Sequence, residues 1–328
     1  MATSTTATMR AIVQHAYGTA DVLHPERIAR PEISGSEVLV RVHAAGLDRG
    51  TWHLMTGTPY LLRLAFGLRG PKNPVAGRDV AGTVEAVGPA VTRWSVGDEV
   101  YGVAPGSYAE YAVAREDKLA RKPAGLSFEQ AAVVPISALT ALAAVTAGRI
   151  EADQHVLVTG ASGGVGSYVV QLAKAFGAEV TGVASTAKLD LVKALGADHV
   201  IDYTREGFAA SGPYDLIIDI AGNPSLSRLR RALTPTGTAV LTGGEGGGKL
   251  TGGMHRQLGA LITSLFLRQR LTMVVNKESG RDLERITDLI ETGQVTPSLE
   301  RTFALDDVPD AMRHLMAGNV RGKVAITI

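Results

Sequence analysis

The 328-residue chain has no cysteine. That absence excludes disulfides, cysteine nucleophiles, thiolate zinc and iron–sulfur clusters. Aromatic residues are scarce, at 5%, too few for a base-stacking surface. Neither sign of charge prevails: 33 Lys and Arg stand against 32 Asp and Glu, a net charge of +1. Overall charge therefore does not suggest a nucleic-acid or anionic-membrane partner. No apolar run reaches the roughly 18 residues of a membrane span. The nearest, Leu258 to Leu267, is short and lies between Arg256 and Arg268. The segment Met1 to Thr8 is small and polar and lacks the basic and apolar regions of a secretory signal. It reads as a disordered tail, with Met9 as an alternative start, and the expected location is cytoplasmic.

What is present is ordinary for a globular enzyme, with 45% apolar and 20% charged residues. At about 150 residues per domain, two domains are expected. Glycine, at 38 residues, is the conspicuous excess. The first 120 residues or so read as short strands broken by Gly and Pro pairs; Arg10–His15, Glu37–Ala44 and Val80–Val87 are examples. From about Leu126, apolar strands alternate with helices. His155–Thr159, Glu179–Ala184, His199–Ile201, Tyr214–Ile220, Thr238–Thr242 and Leu271–Val275 read as strands, Gly164–Phe176 and Thr186–Leu195 as helices. These strands do not alternate apolar and polar residues, as expected for a parallel sheet covered on both faces. The pattern predicts a doubly wound α/β sheet. A strand–helix–strand return closes the chain: Arg301–Ala304, Asp307–Met316 and Lys323–Ile328.

The sharpest motif is Thr159-Gly-Ala-Ser-Gly-Gly-Val-Gly166, which follows a strand and opens a helix. In that context glycines admit a pyrophosphate to the backbone, and the helix N-terminus offers free N–H groups. Ser162, Gly163, Gly164 and Val165 are the candidate contacts. Two decoys share the letters. Gly160-x-Ser162-x-Gly164 fits the hydrolase nucleophile elbow, but the loop carries glycines an elbow does not require. Short-chain dehydrogenases need a Tyr-x-x-x-Lys, and none occurs here. The second strand ends in Ser185-Thr186-Ala187-Lys188 without the acid that holds an NAD ribose. Ser185, Thr186 and Lys188 suit the 2′-phosphate of NADP; capping of the next helix is their alternative role.

Several segments together resemble the medium-chain dehydrogenase/reductase superfamily. They are Gly77-Arg-Asp-Val-Ala-Gly-Thr-Val84, Gly97-Asp-Glu-Val100, the Ala131–Ala144 run, the glycine loop, and Gly196-Ala-Asp198 with Asp202-Tyr203. The zinc-independent quinone oxidoreductases are the branch most resembled, including reticulon-interacting relatives and enoyl reductases. The resemblance implies a β-rich GroES-like catalytic domain, residues 1–124 and 294–328, and a Rossmann NADP-binding domain, residues 125–293. It also implies a homodimer. Zinc-dependent members place Cys and His where this chain has Asp48 and Arg78, and a guanidinium cannot ligate a metal.

Without a Lewis acid, a quinone or α,β-unsaturated carbonyl is the expected acceptor, because its charge is delocalised as hydride arrives. A pathway-specific enoyl reductase and a non-catalytic NADPH-binding protein are the alternatives. By resemblance, Asp48, Trp52, His53 and Tyr60 lie on the loop facing the nicotinamide. Branch members usually carry Asn and Tyr where Asp48 and His53 stand. Ser137 and Thr140 match positions beside the nicotinamide, with helix-end capping as their alternative. Tyr203 is expected near the adenosine 2′-phosphate and Thr242 and Gly243 at the nicotinamide ribose. Lys323 is expected to reach back to the cofactor, or else to be solvated. Met254–Arg270 is expected to pack in the core or a pocket; a lid, a dimer-surface helix and a membrane-surface helix are its other readings.

Overall fold

The computed structural model describes residues 7–222, 224–243 and 248–328. Most of the tail read as disordered, up to residue 6, lies outside them. The chain forms two compact units: residues 1–136, 278–291 and 297–328, and residues 137–277 with 292–296. The division expected from the resemblance is at 124/125 and 293/294. By packing, the first division falls later, and the segment 278–291 joins the first unit.

The first unit opens with an antiparallel hairpin of β1 (Thr8–Val13) and β2 (His24–Ala29). The long strand β3 (Glu37–Leu47) leads into helices α1 (Arg49–Thr56) and α2 (Arg63–Phe66). Strands β4 (Asp79–Val87), β5 (Glu99–Val103), β6 (Tyr111–Arg115) and β7 (Leu119–Arg121) follow, then helices α3 (Phe128–Ala132) and α4 (Pro135–Gly148). Ser127 and Gln130 form a reciprocal capping box that starts α3.

The second unit is a six-stranded sheet. Its elements are β8 (His155–Thr159), α5 (Gly164–Ala175), β9 (Glu179–Ala184), α6 (Leu189–Ala194), β10 (His199–Asp202) and β11 (Tyr214–Asp219). Helix α7 (Leu226–Ala232), β12 (Leu233–Leu241), α8 (Met254–Ser264) and β13 (Arg270–Met273) complete it. All strand pairs are parallel, in the order β10-β9-β8-β11-β12-β13. Leu157, Val183, Ile217, Ala239 and Leu271 pack in one core. Sheets of this kind bury both faces, which explains the unalternating apolar runs. The chain runs outward from β8 to β10 and then crosses to β11, so the topological switch lies between β8 and β11.

The return elements α9 (Gly280–Glu291), β14 (Leu299–Ala304), α10 (Val308–Met316) and β15 (Lys323–Thr327) belong to the first unit. Helix α9 docks there through Tyr101, whose hydroxyl donates to the Leu283 carbonyl at 3.0 Å. The sheet order is β14-β15-β3-β4-β5-β7, with β6 paired to β3.

Two expectations need correcting. The helix expected over Thr186–Leu195 is a 3-10 turn, Thr186–Lys188, followed by the short α6. Met254–Arg270 packs in the core only in part: Ala260 is buried there, with Leu267 against the same cluster, while Leu265 and Phe266 are each 80% exposed. Apolar periodicity shows that a helix has an apolar face, not which way it points.

Candidate active site

In the second unit the site grows from the C-terminal ends of β8 and β11, the switch point where such sheets bind ligands. Thr159 and Asp219 are partners in the strand register there. The Thr159 hydroxyl donates to Asp219 Oδ1 at 2.6 Å. It also accepts from the Ile220 and Ala221 amides at 3.2 and 3.4 Å. Asp219 is fully buried, and its second oxygen pairs with the Arg256 guanidinium on α8. Asp219 and Arg256 are 37 residues apart, and only the packing of α8 on the sheet brings them together.

The glycine loop spans the gap from β8 to α5. Gly160 has φ +68°, a left-handed conformation suited to glycine. A Cβ on Gly166 would sit 2.1 Å from the Gly160 carbonyl oxygen, so only hydrogen fits where helix meets loop. A Cβ on Gly163 would meet only the Gly160 oxygen, at 3.4 Å, leaving its outer side open. Gly163 caps α5 without a side-chain bond. The first N–H groups of α5, at Gly164 and Val165, thus point to where an anion is favoured. Ser162 beside them is buried.

The other candidates of this unit divide. The Thr242 hydroxyl is buried with no hydrogen-bond partner among the described residues. Gly243 is required by a close crossing: its Cβ would lie 1.8 Å from the Ile220 carbonyl oxygen. The Thr140 hydroxyl accepts from Asn276 Nδ2 at 3.0 Å, a partner the sequence did not reveal, and Ser137 is buried one turn earlier on α4. Ser185 starts the 3-10 turn with no side-chain cap bond, and Lys188 stands at the start of α6. Tyr203 is 64% exposed.

An acid not expected from the sequence stands beside Thr186. It is Asp202, at the end of the next strand, β10. The Thr186 hydroxyl bonds Asp202 Oδ2. That bond, then those from Thr204, hold the carboxyl below the usual carboxylate range. Arg205 lies 3.9 Å away.

In the first unit the ends of three strands converge. Gly46 pairs with Asp79 and Leu47 with Val324 in the register, so Asp48, Asp79 and Lys323 lie at one end of the sheet. Asp48 is the N-cap of α1, accepting from the Thr51 amide at 2.7 Å, while its Oδ2 is buried without a hydrogen-bond partner. Asp79 Oδ1 accepts from the Ile136 amide at 2.9 Å, near the start of α4. Its Oδ2 lies 3.5 Å from Lys323 Nζ, and both side chains are almost fully buried. Lys323 is therefore neither solvated nor free; its amine is engaged with Asp79. Burial pushes the Asp79 carboxyl up to about 7; the Lys323 ammonium opposes the rise and the Asp48 carboxylate adds to it.

The segment read as a loop is in part helix α1. Trp52 and His53 sit on it edge to face, ring centroids 4.7 Å apart. His53 Nδ1 lies 2.6 Å from the Thr58 carbonyl oxygen and must donate to it. Tyr60 is 42% exposed under the Arg63 guanidinium, 4.6 Å from its ring. Arg78 pairs with Glu278.

Known proteins resemble this chain over nearly its whole length. Residues 34–124 match the alcohol dehydrogenase GroES-like domain, and residues 195–326 the zinc-binding dehydrogenase family. The chloroplastic quinone-oxidoreductase homolog of Spinacia oleracea is 33% identical, over 97% of this chain and 98% of that one. The chloroplastic NADPH-dependent alkenal/one oxidoreductase of Arabidopsis thaliana is 34% identical, over 97% of this chain and 79% of that one. The structure of the quinone oxidoreductase from Coxiella burnetii matches with a TM-score of 0.87 at 28% identity, covering 98% of this chain and all of that one.

Proposed function

The chain belongs to the medium-chain dehydrogenase/reductase superfamily, in its quinone oxidoreductase branch, and from that premise we propose that it is an NADPH-dependent reductase of quinones or α,β-unsaturated carbonyls. One observation carries the reading. The open glycine loop stands at the switch point of the parallel sheet, and the Thr242 hydroxyl, without a hydrogen-bond partner among the described residues, follows the strand beside β11. Both suit a dinucleotide, and relatives matched over nearly the whole chain are named for quinone and enone reduction.

When bound, the reduced nicotinamide supplies the hydride. The chain's own groups bind and orient. The α5 N–H groups hold the pyrophosphate. Thr242 gives its hydroxyl to the ribose, and Asn276 fixes Thr140 toward the nicotinamide, with Ser137 on the same helix. Ser185, Thr186 and Lys188 receive the 2′-phosphate, helped by Arg205, with Tyr203 alongside. Asp202 works against this role, because its carboxylate takes the Thr186 proton and repels a phosphate; Ser185, Lys188 and Arg205 are the groups that offset it. His53 is the proton donor to the reduced acceptor. Its Nδ1 is committed to Thr58, so that proton leaves from Nε2. Asp48 and Tyr60 line the approach.

The family name implies zinc, but the donor set does not fit one. Arg78, where zinc-dependent members have His, is a permanent cation paired with Glu278. A homodimer belongs to the same proposal; the outer edge of β13 has no strand partner among the described residues.

Steady-state kinetics with NADPH and NADH, against one quinone and one enone, test the cofactor assignment. NADPH should be preferred by at least about tenfold, and Lys188→Glu should abolish that preference. Equal use of NADH by the wild type would contradict the 2′-phosphate assignment.

A further inference from the structure

Helix α8 is turned the unusual way. Arg256, Ala260 and Ser264 face inward. Arg256 bonds Asp219 and the Pro224 carbonyl, Ala260 is fully buried, and Ser264 Oγ accepts from the Leu271 amide at 2.9 Å. The apolar stripe Met254, Leu258, Leu261 and Ile262, spaced as one helical face, points outward at 38–61% exposure. Leu265 and Phe266 continue the ridge. A run of six large apolar side chains on one surface marks an interaction site rather than chance exposure.

Charge selects the occupant. Residues 248–277 contain five Lys and Arg and no Asp or Glu, in a chain whose overall charge is nearly balanced. Arg256 is drawn inward, but Lys249, Arg268 and Lys277 are exposed on either side of the ridge, and His255 is exposed beside it. We propose that this ridge docks on an anionic lipid surface, apolar side chains in the acyl boundary and cations at the headgroups. A second copy fits less well. A twofold interface sets the same patch against itself, and this patch would face its partner with like charge.

Co-sedimentation of the full chain with vesicles tests this. One set is phosphatidylcholine alone, and the other contains phosphatidylglycerol. The wild type should pellet with the anionic vesicles, less so as salt is raised. Leu265→Ser with Phe266→Ser should weaken partitioning by more than about tenfold. Lys249→Glu with Arg268→Glu should weaken it about fivefold per cation. Both pairs are exposed and lie outside the proposed catalytic machinery, so turnover of a soluble enone should stay unchanged. Failure to pellet with either vesicle would overturn the proposal. So would equal pelleting of the Leu265→Ser, Phe266→Ser variant, or a shift of that variant from dimer to monomer without any lipid binding. None of these outcomes depends on whether the chain reduces quinones.

Discussion

Replacing Lys323 by Met removes the cation facing Asp79 while keeping most of the side-chain volume. Both groups are almost completely buried, and the pair spans 3.5 Å. Taking away one partner of a buried pair leaves an uncompensated charge, at a cost of about 3–5 kcal/mol. That cost should depend on pH. In the wild type, Asp79 is raised from 3.8 to about 7, chiefly by burial. Its protonation therefore stabilises the fold fully below pH 3.8, and that contribution is lost as pH rises through about 7. Without the ammonium, the carboxyl rises further. The variant should lose about 3–5 kcal/mol near pH 9, where the wild-type Asp79 is charged. Near pH 5 the loss should shrink to about 1 kcal/mol or less, because a protonated Asp79 no longer needs the cation. Urea unfolding at both pH values measures this. Both tryptophans, Trp52 and Trp94, lie in the unit that holds the pair, so their fluorescence follows the relevant transition. Adding Asp79→Asn should recover most of the loss at high pH. Equal destabilisation at both pH values, or no recovery in the double variant, would refute the reasoning.

Gly166→Ala should destabilise the second unit by about 1–3 kcal/mol and weaken NADPH binding, because its Cβ would land 2.1 Å from the Gly160 carbonyl oxygen. Thermal denaturation and a fluorescence titration check both effects. Arg256→Leu leaves Asp219 charged and fully buried, so a loss of about 3–5 kcal/mol is expected in urea unfolding. Asp48→Ala removes the cap of α1 and should cost about 1 kcal/mol, whereas Asp48→Asn should keep the cap. Circular dichroism melts of the two variants separate them.

The nucleotide unit was the more legible half. Its strands bury both faces and so announce themselves as apolar runs. The loop glycines are dictated locally, by a left-handed φ at Gly160 and a close approach at Gly166. Other features depend on residues far apart in sequence. Nothing in Gly77-Arg-Asp79 indicates that Asp79 will meet Lys323 from the last strand, since only the β3–β4–β15 register brings them together. Asp219 and Arg256, and Thr140 and Asn276, are likewise distant in sequence and meet only through tertiary packing. No acid ends the second strand; Asp202 reaches the same place from the neighbouring strand, which only the β9–β10 register brings about. Helix α1 was read as loop because it is short; Asp48 starts it with a cap, and Gly57 ends it in a left-handed turn. The outward face of α8 could not be read from periodicity, which is the same whichever way a helix is turned.

The central claim is direct transfer of hydride from a nicotinamide to a conjugated acceptor without a metal. NADPH deuterated at the transferred C4 position, reacted with an enone in the presence of a strong chelator, tests it most directly by mass spectrometry of the product. The account predicts deuterium at the carbon β to the carbonyl, at a rate the chelator leaves unchanged. A product without deuterium, or turnover abolished by the chelator and restored by zinc, would contradict it.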